Sequence, residues 1–331
     1  MPDAINLGDL YAARQRIAGI VRRTPLVPAE ALSPLAGTAV HYKLEILQAT
    51  GAFKTRGAAN KILSLPAEVR ARGVTTVSTG NHGRAVAYVA RAAGCRAVVC
   101  LSELVPENKK AAIRAVGGEV KVHGRSQDEA AEIAFALERD EGMTLINPFD
   151  DPTIVAGQGT AGLEIIEDLP RVYTVLVPVS GGGLIGGIAV AIKAANPWAR
   201  VIGVSMDRGA AMYESQKAGK PILVEEVESL ADSLGGGIFL DNKWTFGLVR
   251  DLVDDLILVT EEEIARAMAF LLDREHFVVA WGGAVGVAAI LAGKVKNLGE
   301  NCAVLLSGTN VDSKRLRQIT AEQADWLDTL G

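Results

Sequence analysis

The sequence predicts an α/β protein in which mostly parallel sheets are flanked by helices. Short apolar segments alternate with longer segments of helical periodicity, as expected of repeated β-α-β units. Two of the apolar segments, Thr174-Val-Leu-Val-Pro-Val179 and Cys302-Ala-Val-Leu-Leu306, show no polar alternation, which is typical of strands buried on both faces. Such strands need helices on either side of their sheet.

Each predicted element follows from apolar periodicity, with turn residues at its ends. Predicted strands lie at residues 40–44, 75–78, 97–101, 119–122, 175–179, 201–205, 256–259 and 303–306. Predicted helices lie at residues 55–63, 84–93, 108–116, 126–140, 160–167, 184–195, 261–273 and 284–292. Residues 7–21 also have helical periodicity, with charges on one face, and predict a surface helix.

The composition indicates a folded, soluble protein. Of the 331 residues, 49% are apolar and 22% are charged, which argues against a largely disordered chain. The 34 basic and 39 acidic residues give a net charge of −5, so no overall basic character indicates a nucleic-acid or membrane partner. Residues 1–6 give no export signal, the apolar segments are too short to span a bilayer, and the three cysteines suit a reducing interior. We therefore expect a cytoplasmic protein.

Two domains are expected, because 331 residues correspond to about two domains of ordinary size. No linker rich in Ser, Pro or Gly separates two halves of the chain. Residues 74–147 form a continuous series of strands and helices that ends at a turn beginning with Asn147. This series predicts a small domain inserted into a larger one that consists of residues 1–73 and 148–331.

Three loops of small polar residues directly follow predicted strands. They are Ser78-Thr-Gly-Asn-His-Gly83, Ser180-Gly-Gly-Gly-Leu-Ile-Gly186 and Ser307-Gly-Thr-Asn310. Ligands of open parallel sheets bind beyond the carboxyl ends of the strands, so these loops can converge on one crevice. For any single loop a tight turn is an equally good interpretation, but the three together favour a binding site.

The central loop is suited to an anion. Gly181, Gly182 and Gly183 allow backbone amides to approach a phosphate, and the next helix directs its positive end toward it. The loop also matches the dinucleotide pattern G-x-G-x-x-G, with Asp207 about 20 residues further on, so a nicotinamide cofactor is an alternative. A second match, Gly157-Gln-Gly-Thr-Ala-Gly162, follows no clear strand, and we interpret it as helix packing.

Lys54 favours a different cofactor chemistry. It lies in the segment Gly51-Ala-Phe-Lys-Thr-Arg-Gly57, at the start of a predicted helix. The positive end of the helix and partial burial lower the pKa of an amine there, and a neutral amine can form an imine. A single lysine in a helix is most simply a solvated charge, but Phe53 and the glycine-rich loops favour a functional role for Lys54.

In order and spacing, these segments resemble the fold-type II pyridoxal-phosphate enzymes of the serine/threonine dehydratase family. The resemblance extends from about Arg22-Arg-Thr-Pro-Leu26 to the final strand and implies a tryptophan-synthase-β-like fold with two open, mostly parallel twisted sheets. It also implies that the larger domain binds the cofactor and that the small domain closes over the substrate. Gly124-Arg-Ser-Gln-Asp128 and Leu230-Ala-Asp-Ser-Leu-Gly-Gly-Gly237 look most similar to the hydroxyectoine-utilisation dehydratases.

The resemblance implies a role for each matching residue. Lys54 would hold pyridoxal 5'-phosphate as a Schiff base and then act as the base at the α-carbon of the substrate. Phe53 would pack against the pyridine ring, Asn81 would hydrogen-bond the 3′ oxygen, and Ser307 would face the ring nitrogen. The cofactor phosphate would bind the backbone amides of Gly181, Gly182, Gly183 and Leu184. The substrate carboxylate would bind Ser78, Thr79, Asn81 and His82, with His82 orienting the loop rather than acting as a base.

The chain departs from the family at two places. Thr79 stands where racemases of the family have a serine that acts on the face opposite the lysine, so racemisation is disfavoured, although a threonine hydroxyl can also move a proton. Ala280 and Trp281 stand where relatives carry a glutamate and a small-residue turn. A surface position is an equally good interpretation of Trp281. If the turn lies beside the cofactor, we expect threonine and serine to be poorer substrates than another β-hydroxy amino acid.

The expected activity is elimination of water from a small β-hydroxy-α-amino acid, giving a 2-oxo acid and ammonia, with a place in hydroxyectoine catabolism if the closer resemblance holds. The alternatives are an amino-acid racemase with the same cofactor, an NAD(P)-dependent oxidoreductase, and a non-catalytic pyridoxal-phosphate carrier or sensor. We expect no metal, because Ser205 and Ala211 stand where some relatives have acidic ligands. We also expect a homodimer or a higher homo-oligomer.

Overall fold

Ten β-strands form the framework of residues 5–330, the part of the chain that a computed structural model describes. The strands are β1 (Leu26–Pro28), β2 (Ala39–Leu44), β3 (Val74–Val77), β4 (Ala97–Leu101), β5 (Glu119–Val122), β6 (Thr144–Leu145), β7 (Thr174–Pro178), β8 (Arg200–Met206), β9 (Asp255–Val259) and β10 (Asn301–Leu306). They form two separate sheets, and the loops at the carboxyl ends of both sheets include the segments singled out above.

The larger sheet has six strands in the order β1-β2-β10-β7-β8-β9, and the smaller sheet has four in the order β5-β4-β3-β6. Strand β1 pairs antiparallel with β2, whereas the other strand pairs described in these sheets are parallel. Strand β7 is buried along its whole length, which explains its lack of polar alternation. All four strands of the smaller sheet come from the continuous stretch between Val74 and Leu145.

Helices connect the strands. They are α1 (Leu7–Ile17), α2 (Leu32–Ala36), α3 (Lys54–Ser64), α4 (Ala67–Arg70), α5 (Asn81–Ala92), α6 (Glu107–Ala115), α7 (Gln127–Glu141), α8 (Pro152–Asp168), α9 (Gly183–Ala195), α10 (Ala211–Ala218), α11 (Thr245–Leu252), α12 (Glu261–Asp273), α13 (Trp281–Leu291), α14 (Ser313–Glu322) and α15 (Ala324–Asp328). Short 3-10 helices cover Glu45–Leu47 and Asp232–Leu234. Within residues 5–330 none of the helices is long and apolar enough to cross a membrane.

The larger sheet packs against helices on both faces. On one face, alternate strand residues such as Leu176 and Val304 pack with residues of α12 and α13. On the other face, Val175 and Leu305 pack with residues of α9, including Ile188. Because successive side chains of a strand point to opposite faces, both faces of the sheet are apolar, and the sheet separates two hydrophobic layers.

The predicted α/β fold with two mostly parallel sheets is confirmed. The predicted strands are all present, each with ends within two residues of the predicted ones. The predicted start of α8 at residue 160 is wrong: the Asp151 carboxylate accepts hydrogen bonds from the backbone of Thr153 and Ile154, and proline at the first helical position is favourable. Helix α1 ends at Ile17 rather than at residue 21, and Gly19 soon afterwards has a φ of 89°.

Glycines bring helix α8 into backbone contact with its neighbours. A Cβ atom on Gly157 would lie 2.7 Å from the carbonyl oxygen of Arg56 in α3. A Cβ atom on Gly159 would lie 2.7 Å from the carbonyl oxygen of Gly187 in α9. The segment from Gly157 to Gly162 therefore serves helix packing, as predicted, and its match to the dinucleotide pattern has a different physical cause.

Candidate active site

Hydrogen bonds join three of the predicted site segments. The backbone N–H of Phe53 donates to the carbonyl oxygen of Ser307 at 3.0 Å, and Thr309 donates to Gly51 at 2.8 Å. The Asn310 amide donates to the side-chain oxygen of Asn81 at 2.7 Å. The segment containing Lys54, the loop after β10 and the start of α5, which follows β3, are therefore neighbours.

Lys54 is the first residue of α3, and it is partly buried. Its Nζ donates to the carbonyl oxygen of Pro148 at 2.7 Å and lies 5.3 Å from the centre of the Phe53 ring. Burial lowers the pKa of Lys54 to about 8. A substantial fraction of this amine is therefore neutral near physiological pH, as nucleophilic attack on a carbonyl requires.

The glycine loop lies between β7 and α9. Gly182 has a φ of 85°, which residues with a side chain rarely adopt. A Cβ atom on Gly181 would overlap the Phe149 ring, and one on Gly182 would lie 2.7 Å from the Met212 methyl group. Neighbouring side chains thus pack against the loop. The amides of the first turn of α9, including that of Leu184, have no acceptor inside their own helix and are suited to an anion.

The loop after β3 leads into helix α5. The backbone N–H of Gly80 donates to Ser78 Oγ at 3.3 Å, and Ser78 and Thr79 are partly exposed. The Nε2 atom of buried His82 lies 3.0 Å from the carbonyl oxygen of Ile146, next to the end of β6. Burial, together with the positive charge of Lys54, lowers the pKa of His82 to about 3. His82 is therefore neutral and holds the start of α5 in place.

A buried ion cluster anchors the helix that begins with Lys54. Arg56 bonds to Glu45 and to Glu164, each with a closest N···O distance of 2.7 Å, and Lys43 bonds to Glu164 at 2.6 Å. All four side chains are almost completely buried. Burial raises the pKa of the Glu45 carboxyl, but the charge of Arg56 outweighs it and the net pKa is lowered. The sequence analysis missed this cluster.

The turn before α8 contributes groups that the sequence analysis also missed. The Phe149 ring stacks on Phe239, with 4.7 Å between ring centres. The Asp150 carboxylate accepts hydrogen bonds from the backbone of Lys243, Trp244 and Thr245, at the start of α11. The sequence indicates only that the chain leaves the small domain at this turn. In the structure the turn supports both the glycine loop and the segment before α11.

The turn at Ala280 lies beside the loop after β10. The backbone N–H of Ala280 donates to the carbonyl oxygen of Gly308 at 2.8 Å. Ala280 is buried, and Trp281 is partly buried against the hydrophobic layer of α12 and α13. Trp281 is thus not a fully exposed surface residue. No group of three His, Cys, Asp or Glu side chains within residues 5–330 is arranged to hold a metal ion.

Comparison of the sequence with known proteins identifies a family. The model of the pyridoxal-phosphate dependent enzyme family matches residues 17–308. A putative threonine dehydratase of Sinorhizobium fredii is 51% identical over 315 residues, which cover 95% of each chain. An L-threonine ammonia-lyase of Thermotoga maritima is 42% identical over 315 residues, covering 95% of this chain and 78% of that protein.

Solved structures show the same relationship. The threonine deaminase of T.th. superposes with a TM-score of 0.86 and 40% identity, covering 93% of this chain and 99% of that one. Maize serine racemase superposes with a TM-score of 0.91 and 32% identity, covering 98% of this chain and 100% of that one. From the family match, the sequence identities and the shared fold, we conclude that the chain belongs to the pyridoxal-phosphate-dependent enzyme family.

Proposed function

We propose that this chain is a pyridoxal-phosphate-dependent dehydratase that removes water from a β-hydroxy-α-amino acid and yields a 2-oxo acid and ammonia. The observation that carries the proposal is that one turn contacts both the Lys54 amine and the glycine loop: Nζ donates to the Pro148 carbonyl oxygen, and the adjacent Phe149 ring packs against Gly181. The relatives named threonine dehydratase and L-threonine ammonia-lyase support the same class of reaction. A nicotinamide oxidoreductase would leave Lys54 without a role.

The residues of the site fit pyridoxal phosphate. In this assignment Phe53 packs against the ring, Asn81 bonds the 3′ oxygen and Ser307 faces the ring nitrogen. The phosphate binds the backbone amides of Gly181, Gly182, Gly183 and Leu184, where a Cβ on two of the glycines would strike neighbouring side chains. The bound cofactor supplies an electron-withdrawing ring that stabilises negative charge at the α-carbon of the substrate. A neutral hydroxyl such as that of Ser307 would leave the ring nitrogen largely unprotonated, which would favour prompt loss of a β-hydroxyl.

Lys54 performs two tasks in the proposed reaction. Its Nζ would hold the cofactor in the resting enzyme, and once freed by the substrate amine it would accept the proton from the α-carbon. The partner of Nζ is the Pro148 carbonyl rather than a carboxylate, so no anion holds the amine permanently protonated. Nζ would then return this proton to the β-hydroxyl, which would leave as water, and the released enamine would take up a proton to become an imine that hydrolyses to the 2-oxo acid and ammonia.

The loop from Ser78 to His82 receives the substrate carboxylate in this proposal. Backbone amides and the hydroxyls of Ser78 and Thr79 supply the donors, while neutral His82 fixes the loop to the carbonyl of Ile146. Racemisation is the second candidate activity, and the likeness to maize serine racemase favours it. It needs an acid or base on the second face of the α-carbon, and Thr79 is a weak group for that purpose.

We further propose the setting in which the reaction takes place. Residues 74–147, which hold the smaller sheet, form the small domain that closes over the substrate, and residues 1–73 and 148–331 form the large domain. The enzyme works in the cytoplasm as a homodimer or a higher homo-oligomer, and its free cysteines suit that compartment. The resemblance of residues 124–128 and 230–237 to the hydroxyectoine-utilisation dehydratases supports a substrate from hydroxyectoine breakdown, and the Ala280 turn beside the loop after β10 supports poorer use of threonine.

The substitution Lys54→Ala tests the proposal. It removes the amine that binds the cofactor, so we expect loss of the visible absorbance band, of borohydride-trapped cofactor and of 2-oxo acid formation from a panel of β-hydroxy amino acids. Lys61→Gln, on the same helix, is the matched control and should retain all three. Cofactor trapped on another lysine of the Lys54→Ala variant would contradict the assignment. Formation of D-amino acid without 2-oxo acid by the wild-type enzyme would favour the racemase.

A further inference from the structure

Helix α5 presents one face that is less buried than the others. Along this helix Asn81, Arg84 and Tyr88 are partly exposed, whereas most residues between them are buried. Residues three or four positions apart lie on the same side of a helix. Arg84 therefore lies one turn behind Asn81, on the face that borders the site, and its backbone N–H donates to the carbonyl oxygen of Gly80.

Helix geometry relates Arg84 to the turn that precedes it. Cα–Cβ bonds in a helix tilt toward its N-terminus, and long side chains lie over the preceding turn. The preceding turn of α5 contains Asn81, whose side-chain oxygen bonds to Asn310 in the loop after β10. Arg84 therefore lies on the side of α5 that carries Asn81 and adjoins this loop.

The partly buried Arg84 side chain has no acidic partner within residues 5–330. Its Nε atom is buried and has no hydrogen-bond partner, and in the part of the chain that the structure describes no carboxylate lies close enough to its guanidinium to affect its pKa. Burial is the sole cause that lowers its pKa, which agrees with the absence of a nearby carboxylate. The fully buried Arg56, in contrast, bonds to two carboxylates. A partly desolvated charge without a counter-ion costs stability, and a ligand that supplies the counter-ion offsets the cost.

We propose that Arg84 binds a carboxylate carried by the side chain of the substrate, so that the enzyme prefers a β-hydroxy amino acid with a distal acidic group to threonine. The inference rests on the proposed dehydratase function and names the substrate class of that same site. A guanidinium pairs with a carboxylate through two parallel N–H···O bonds, and this pairing strengthens where water is excluded. Ala280, whose backbone N–H donates to Gly308, brings no carboxylate that would compete for Arg84.

The test compares kcat/KM for 3-hydroxyaspartate, 3-hydroxyasparagine and threonine in the holoenzyme. Wild type should prefer 3-hydroxyaspartate. In Arg84→Gln the ratio of kcat/KM for 3-hydroxyaspartate to that for threonine should fall by about 10- to 100-fold, the usual effect of losing a charge-assisted hydrogen-bonded pair. Arg84→Lys should restore part of the ratio, because it returns the charge without the planar fork. Arg91→Gln, at an exposed position of the same helix, is the control and should leave the ratio unchanged.

Three results would overturn the inference. A loss of equal size for all substrates would assign Arg84 to the α-carboxylate or to the fold. Equal kcat/KM values for 3-hydroxyasparagine and 3-hydroxyaspartate would show recognition of a planar amide rather than of negative charge. A fall of several degrees in the melting temperature of the Arg84→Gln apoprotein would indicate a structural role, because removing an unpaired, partly buried charge should not destabilise the fold.

A binding measurement tests the role of Arg84 independently of the proposed dehydratase activity. Absence of 2-oxo acid from every substrate with the cofactor-loaded wild-type enzyme would contradict the dehydratase proposal. Binding of L-aspartate and of L-alanine, read from the visible absorbance of the bound cofactor, tests Arg84 without turnover. We expect tighter binding of L-aspartate in wild type and loss of that preference in Arg84→Gln. Equal binding of the two amino acids by wild type would refute the carboxylate subsite.

Discussion

Replacing Glu164 by glutamine tests whether the buried ion cluster stabilises the helix that begins with Lys54. The Glu164 carboxylate accepts hydrogen bonds from the backbone N–H of Thr24, from Lys43 Nζ and from both terminal nitrogens of Arg56. Glutamine has nearly the same shape but no charge, and its amide nitrogen is a donor. In the Glu164→Gln variant, the new amide N–H groups therefore face the N–H donors of Lys43 and Arg56. These two cations are then left with a single carboxylate, that of Glu45.

The expected loss in the free energy of unfolding is about 3–5 kcal/mol, because an unbalanced charge is left in the interior. Glu167 provides a matched control on the same helix. Its carboxylate pairs with Arg14 and Arg23 at the surface, where ion pairs contribute about 0–1 kcal/mol. The variant Glu167→Gln should therefore lose no more than about 1 kcal/mol.

Urea unfolding of the two holoenzyme variants and of wild type, followed by circular dichroism and by cofactor absorbance, measures the difference. The cofactor signal is informative because Arg56 lies two residues after Lys54, so disorder of the cluster should reach the amine. If the free energies of unfolding of Glu164→Gln and Glu167→Gln lie within about 1 kcal/mol of each other, the cluster does not stabilise the fold as argued and the reasoning is refuted.

Two further predictions concern the cofactor. Gly181→Ala should weaken binding of pyridoxal phosphate, measured by fluorescence titration, because the added methyl group would overlap the Phe149 ring. Gly247→Ala in α11 is the control and should bind the cofactor normally, because a Cβ atom there meets no atom within 4 Å. Equal affinities of the two variants for the cofactor would contradict the assignment of the glycine loop. The rate of covalent cofactor capture by the apoprotein should rise with pH through about 8, because the pKa of Lys54 is lowered to that value and the neutral amine is the reacting form. A pH-independent rate across that range, measured by stopped-flow absorbance, would show that another group limits the reaction.

Most of the sheet framework was predictable from the sequence because burial on both faces leaves a plain apolar signal. Helix starts were harder where contacts distant in sequence create them. Helix α5 begins at Asn81, three residues before the predicted start, with Asn, His and Gly in its first turn. These are weak helix formers, and the contact of His82 with Ile146 holds them in place.

The segments of the candidate site were recognisable as motifs in the sequence, and hydrogen bonds bring three of them together in the structure. Their surroundings were not recognisable in this way. The partner of the Lys54 amine is a backbone carbonyl, that of Pro148, 94 residues away, and no side-chain pattern announces such an acceptor. Lys43 and Glu164 are 121 residues apart, and no sequence pattern distinguishes either of them from a charged residue at the surface. The fold alone brings these two charges into one buried cluster.

Helix α8 has a mechanical consequence for the cofactor. Its Gly157 meets α3 and its Gly159 meets α9 with no side chain between the backbones, and helices in such contact cannot approach or separate by a change of rotamer. Lys54 begins α3 and Gly183 begins α9, so the packing of both helices on α8 fixes the spacing between the Lys54 amine and the glycine loop. The smaller sheet takes no part in this contact, so its position does not set the spacing. If the cofactor binds both Lys54 and the glycine loop as proposed, we expect its position to stay fixed while the substrate enters and the product leaves.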